Sequence, residues 1–232
     1  MPDHIETLKT AKSFQFCTRL SLCELTGFKA RNLSELLACL KIVPDAVIYH
    51  HTHRFLEEHQ YLLPEPPNDF SYWVTAALGE AVLGERLAGI NTCEFSTIQS
   101  LRDTMTGVIE KFLKGAKTPL REVNGDQALY FIKSVSFIFP TPYGVNTLEE
   151  FLEAFKKITI SSIFFHMFEA KLRLGKSTND FSLWMETCLG EKELAQRIAK
   201  MDPYIYTLEG LRAKIIQWIE RRLAEVKVKE AV

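Results

Sequence analysis

The chain has 232 residues, 47% hydrophobic and 25% charged, with a formal net charge of −1 and a pI near 6.6. Those are the proportions of an ordinary soluble globular protein, long enough for one large domain or two small ones. Near-neutral charge without a basic block argues against nucleic-acid binding or an anionic membrane surface. The longest mostly apolar stretch, Ile158 to Phe168, is too short to span a bilayer. Met1-Pro2-Asp3-His4 does not open a signal peptide. The cysteines number five and form no Cys-x-x-Cys, as expected of free thiols in a reducing cytoplasm.

The sequence says nearly the same thing twice. Asn68-Asp-Phe-Ser-Tyr-Trp73 returns as Asn179-Asp-Phe-Ser-Leu-Trp184, Leu101-Arg102 as Leu211-Arg212, and Ile109-Glu110 as Ile219-Glu220. Upstream, Val47-Ile48-Tyr49-His50 aligns with Ile163-Phe164-Phe165-His166. The order of features predicts an internal duplication. Its first copy is 14–113, its second 129–223, and 114–128 is a linker marked by Gly115, Pro119 and Asn124-Gly125. The offset is 115 at Leu33/Leu148, 116 at His50/His166 and 111 at Asn68/Asn179, so insertions fall between elements.

Each copy opens on an alternating segment, Phe14, Phe16, Leu20 and Leu22 or Leu129, Phe131, Val135 and Phe137. Period two predicts a strand, clearest over Tyr130–Phe139. Asn32-Leu-Ser-Glu35 and Thr147-Leu-Glu-Glu150 have the form of capping boxes that open short helices. Second helices follow from Asp45 and Ser161. Third helices start at the Asn-Asp pairs, with Phe70, Trp73, Val74, Ala77 and Leu78 on one face. Gly79 and Gly190 follow, where a left-handed residue would end the helix. Fourth helices cover 97–113 and 207–223. The expected fold is therefore predominantly α with short β segments, a strand-plus-four-helix unit repeated with pseudo-twofold symmetry in one compact globule. A strand needs a partner, and the other copy supplies one.

Among polar residues, those present in both copies serve a shared need, and helix capping by Asn68, Asp69, Asn179 and Asp180 meets it first. His50 and His166 read as core histidines bonded near those caps. The sharper alternative is a small-molecule pocket lined by His50, His53, Asp69 and Trp73, with Lys29 nearby and Pro64–Pro67 at its rim; His166, Asp180 and Trp184 are the counterparts. Copy one also has His51 and His59, and the spacing of His50, His53 and Glu57 along a helix admits a metal. No catalytic residue and no cofactor follow from the sequence, which lacks a phosphate loop, a dinucleotide fingerprint and a nucleophile elbow.

The run Leu25-Thr-Gly-Phe-Lys-Ala30, then Asn32-Leu33, Glu35-Leu36, Tyr49-His50 and Asn68-Asp-Phe70 with Trp73, resembles an uncharacterised family of bacterial and archaeal domains. Some of its members occur beside or fused to glycosyltransferases and other enzymes of α-glucan or trehalose metabolism. Copy two departs from the motif at Thr141-Pro142-Tyr143-Gly144. The absence of catalytic motifs, together with this resemblance, leads to the expectation of a non-catalytic binding or regulatory protein, a partner of a carbohydrate-active enzyme. The competing expectation is a metal-dependent hydrolase built on the copy-one histidines, whose metal would activate a bound water.

Overall fold

The structure, a computed structural model, describes residues 13–54, 57, 67–115, 121–174, 178–202 and 205–230. The protein is mainly α-helical with one antiparallel two-stranded sheet. Strand β1 spans Phe14–Ala30 and β2 spans Leu129–Val145, each 17 residues long. The alternation seen in the sequence thus marks only part of each strand. After β1 come α1 (Leu33–Ile42), α2 (Asp45–Tyr49), a π-helical turn (His50–Arg54), α3 (Asp69–Ala76), α4 (Ala81–Ala88) and α5 (Ile98–Gly115). After β2 come α6 (Leu148–Phe155), α7 (Ile160–Phe164), a π-helical turn (Phe165–Glu169), α8 (Ala170–Leu174), α9 (Asp180–Cys188), α10 (Lys192–Ala199) and α11 (Leu208–Glu230). Among the described residues, no helix is long and apolar enough to cross a membrane.

The helix starts follow from short polar side chains that accept otherwise unpaired N–H groups. Asn32 accepts from Glu35 N at 2.9 Å, Thr147 from Glu150 N at 3.2 Å, and Asn68 and Asn179 from Ser71 N and Ser182 N at 2.9 Å each. Asn68 and Asn179 are also buried, and their amides donate to Leu87 O and Ile198 O. Gly79 and Gly190 have φ of +71° and +73°, a left-handed conformation that glycine adopts without steric cost. Arg102 donates to Leu40 O, and Arg212 donates to Phe155 O at 3.2 Å, so each arginine satisfies a carbonyl at the end of α1 or α6.

The register runs from Phe14 opposite Val145 to Ala30 opposite Leu129, with Ser21 opposite Ser136 at the middle and irregularities at Gln15/Cys17 and Leu25/Lys29. This ribbon feeds two hydrophobic cores, and it feeds them crosswise. Leu129 and Phe131 lie in the core of α1–α5, beside Leu33, Leu36, Phe70 and Leu101. Phe14 and Phe16 lie in the core of α6–α11, beside Phe151, Phe155, Phe181 and Leu211. Each strand begins in the core of the other half, and it ends, at Ala30 or Val145, in the core of the helices that follow it. The cores therefore do not coincide with the segments 14–113 and 129–223. Of the segment 114–128, Lys114 and Gly115 belong to α5, Val123 is buried and donates to Arg31 O at 2.9 Å, and 116–120 lie outside the described residues.

Candidate functional site

A strand at the rim of a two-stranded sheet leaves backbone N–H groups without ladder partners. At two places a buried histidine supplies the acceptor. Cys17 N donates to His166 Nε2 at 2.8 Å, and Ile132 N donates to His51 Nε2 at 3.0 Å. The other ring nitrogen of each faces a carboxylate at the first turn of a helix: His166 Nδ1 lies 2.7 Å from Asp180 Oδ2, and His51 Nδ1 lies 2.7 Å from Asp69 Oδ2. An Nε2 that accepts from an amide is unprotonated, so both imidazoles are neutral with the proton on Nδ1, donated to the aspartate. Burial pushes the His166 pKa down despite Asp180 beside it. Burial opposes the charge of Asp180, yet the hydrogen bonds from His166 and Arg173 hold its carboxyl below the usual range. Each clasp joins the helices of one half to the strand that comes from the other.

The residue that shares His166's bonds is His51, not His50. Both histidines sit at the second position of a π-helical turn, His50–Arg54 or Phe165–Glu169, and the two turns stand 115 residues apart. Pairing Tyr49-His50 with Phe165-His166 by residue type is therefore one position out of step. His50 turns instead to Ser134, with Nδ1 and Oγ 2.9 Å apart, and its pKa falls to about 4 through burial and the neighbouring His51.

Between the clasps lies a buried charge cluster centred on Arg19. Its guanidinium bonds Tyr49 Oη and Glu57, and it donates to Glu169 Oε1 at 2.5 Å; Arg54 also reaches Glu57, at 3.1 Å. The guanidinium lies 5.2 Å from the centre of the Tyr49 ring and 5.6 Å from that of Phe164. Burial disfavours its charge, but Tyr49, Glu169 and Glu57 more than offset this and raise its pKa. Burial also raises Tyr49 well above its ordinary value and raises Glu169. The buried Arg19 and Glu57, with the partly exposed Arg54 and Glu169, set two cations against two carboxylates and leave the cluster near neutral, the condition under which buried ions are tolerated.

The residues expected to line a pocket are spent on separate tasks. His53 stacks on Tyr49 with centroids 5.4 Å apart, lies 3.0 Å from the Thr52 hydroxyl and bonds the backbone of Thr92; burial and Arg19 lower its pKa to about 4. Asp69 holds His51, and Trp73 Nε1 donates to Gln127 O at 2.7 Å. Trp184 stacks on Phe151 with centroids 5.7 Å apart. Lys29 is exposed on β1 opposite Tyr130. Glu57 pairs with Arg19 and Arg54 rather than with His50 and His53. His59 and Pro64–Pro66 lie outside the described residues.

Among the described residues, one set of metal-type side chains comes together: His50, His51 and Asp69, with ligand atoms within 4.8 Å of one another. The set includes Asp69, anticipated for a pocket, and His51, which the helical spacing passed over. A metal there would compete with the Ile132 amide and with the His51–Asp69 bond, because both nitrogens of His51 are already engaged. The surface also has a groove of about 610 Å³ between α10 and α11, lined by Lys192, Arg197, Trp218 and Arg222 among others. Arg197 lies 4.6 Å over Trp218, and Arg222 makes two bonds to Glu191 at 2.7 and 3.0 Å. Trp218 and Arg222 carry no motif, since residues from two helices meet there only in the fold.

Comparison with known proteins gives a consistent but functionally silent result. A family model described as "Family of unknown function (DUF5752)" matches residues 11–220. A solved structure described as "The structure of OrfY from Thermoproteus tenax" is similar with a TM-score of 0.77 and 26% identity, over 91% of this chain and 96% of that one. No curated protein matches.

Proposed function

The chain belongs to this family of unknown function, DUF5752, and from that premise we propose that it is a non-catalytic binding or regulatory protein, a cytoplasmic partner of a carbohydrate-active enzyme. The observation that carries the reading is how the buried polar groups are used. His51 and His166 have both ring nitrogens engaged, and Arg19 and Arg54 balance Glu57 and Glu169. A general base or nucleophile needs a free atom aimed at a substrate. Here those atoms are committed to joining the two halves. The free thiols of Cys39 and Cys93, both buried, suit a reducing compartment.

The scaffold for this role is an internal duplication packed about a pseudo-twofold axis. Shifted by 115 residues, the pair Phe14/Val145 becomes Leu129/Ala30, Cys17/Pro140 becomes Ile132/Leu25, and Ser21/Ser136 becomes itself. The two clasps, and the ion pairs Lys41–Glu110 and Lys156–Glu220, also correspond, with the shift reduced to 111 at Asp69/Asp180 and 110 at Glu110/Glu220. Superposing residues 30–113 on 145–223 tests this reading; unrelated helix directions would end it. For the function, the protein is titrated into purified glycosyltransferases of α-glucan and trehalose synthesis while their turnover is followed. A saturable change in rate or a co-eluting complex is expected, and turnover of a glycoside by the protein alone would refute the proposal.

The grouping of His50, His51 and Asp69 favours a second reading, a metal-dependent hydrolase. Elemental analysis separates the two: stoichiometric zinc or iron that is lost in His50→Ala supports the enzyme, and metal-free protein removes it.

A further inference from the structure

A boundary at residues 116–120 divides the protein into two pieces, 13–115 with β1 and α1–α5, and 121–230 with β2 and α6–α11. Neither piece closes a core by itself. The core of α1–α5 takes Val123, Leu129 and Phe131 from the second piece, and the core of α6–α11 takes Phe14, Phe16 and Cys93 from the first. The polar bonds of the joint also run from piece to piece. They pair Cys17 with His166, Ile132 with His51, Arg19 with Glu169, Trp73 with Gln127 and Asn91 with Asp202. The ribbon is a contact of the same kind, since among the described residues β1 has only β2 as its neighbour. None of these contacts depends on the two pieces belonging to one chain.

We propose that two copies of the chain exchange pieces at this joint, residues 13–115 of each closing on residues 121–230 of the other. The surfaces that meet are the interiors of the two cores, and the partner that fits each is the other piece of the same sequence. An exchanged dimer makes both cores, both clasps and the Arg19–Glu169 bond twice over, so its contacts equal those of two monomers. Only the connection through 116–120 decides which pairing forms. A short connection holds its own two pieces at an effective concentration in the millimolar range. Mass action then sets the balance: at about 0.1 mM of chain roughly a tenth is exchanged, and at about 1 µM almost none. Exchange requires two cores and the ribbon to part, so the forms interconvert only as fast as the chain unfolds.

Two full-length variants, Ser21→Cys and Ser136→Cys, test this when mixed in urea, refolded together at about 0.1 mM and oxidised only afterwards. Ser21 and Ser136 stand opposite each other at the middle of the ribbon, their hydroxyls 3.2 Å apart. Each chain then carries one member of the pair. A disulfide between positions 21 and 136 forms across the ribbon only when β1 of one copy lies on β2 of the other. Peptide mapping by mass spectrometry is expected to find it, in a dimer whose share rises severalfold as refolding moves from about 10 to about 100 µM. Analytical ultracentrifugation of the unsubstituted chain, refolded at 100 µM and diluted to 1 µM, is expected to show a dimer that persists until the chain is unfolded again. Mixed without prior unfolding, the two variants are expected to give no such disulfide; equal yield there would make it a contact between monomer surfaces and overturn the proposal. Refolding that yields only monomer, with no bond between positions 21 and 136, overturns it as well.

Discussion

The two histidine clasps are alike in their bonds and unlike in their surroundings. His166 lies among Phe14, Phe16 and Phe181, and its aspartate is 16% exposed and bonded by Arg173 at 2.5 Å. His51 has Phe70 and Phe131 at comparable distances, and its aspartate is 32% exposed. The sheet positions next to them diverge further: β1 carries Arg19 where the corresponding position of β2 carries Ser134. One face of the joint is thus a charge cluster and the other a neutral Ser–His pair. The clasp needs only a neutral imidazole between an amide and a carboxylate, so its surroundings are free to differ. The core it closes was equally free, aromatic in the second half and mostly aliphatic in the first.

The largest test of that difference is Arg19→Met. It leaves the mostly buried Glu169 without its cation and Glu57 with Arg54 alone, and is expected to cost about 3 kcal/mol, whereas Ser134→Ala costs about 1 kcal/mol. Urea denaturation measures both, and equal losses would show the two faces of the joint to be equivalent. Combining Arg19→Met with Glu57→Gln and Glu169→Gln is expected to recover part of the loss, because the uncompensated charge is then gone.

Next in size is His166→Ala, which leaves the part-buried Cys17 amide without its acceptor and Asp180 with Arg173 alone. The expected cost is about 2–4 kcal/mol, larger than for His51→Ala, where Asp69 reaches water more readily. Hydrogen exchange gives the local signature: the Cys17 amide speeds up in the first variant and the Ile132 amide in the second.

Falling pH is expected to destabilise the first half through His50 and His53, whose pKa values lie near 4 against an ordinary 6.5. Above pH 6.5 both are neutral whether folded or unfolded, and stability is full. Between 6.5 and 4 only the unfolded chain takes up the protons, so stability falls with a slope approaching about 1.4 kcal/mol per pH unit for each histidine. Asp180, held low, contributes its own loss only below about pH 4. Unfolding midpoints from pH 7.5 to 4.5 follow the slope, to which His166, also held low, adds, and His53→Asn is expected to remove one histidine's share of it; an unchanged slope would place the titration elsewhere.

The smallest contrast is between the helix ends. Gly79→Ala and Gly190→Ala each force an L-residue to φ near +70°, at about 1 kcal/mol apiece. Thermal unfolding reads the shift, and a neutral substitution at either position would mean that the turn can rearrange.

Helix starts were legible in the sequence because they are local. Asn32, Asn68, Thr147 and Asn179 accept the N–H groups of residues three further on, and spacing along the chain reveals that. The glycine ends and the buried stripe of Phe70, Trp73 and Val74 were legible for the same reason. The site was not. His50, His53, Asp69 and Trp73 share a sequence neighbourhood but take four different partners, from Ser134 to Gln127, because the π-helical turn breaks the spacing on which a shared face depends.

What the sequence by itself determined is the order of the strands and main helices, with their caps, breaks and apolar faces, each set by interactions within a few residues; Ala81–Ala88, Lys192–Ala199 and the π-helical turns add to the four helices expected of each unit. Only the tertiary structure decided which core each strand enters, which histidine meets which amide, and that Arg19, rather than any of the repeated residues, is the buried charge at the joint. Those outcomes depend on pairs more than a hundred residues apart, such as Cys17 with His166 and Arg19 with Glu169. Such pairs form wherever a buried polar group finds a partner in space, and no periodicity along the chain encodes where that partner lies.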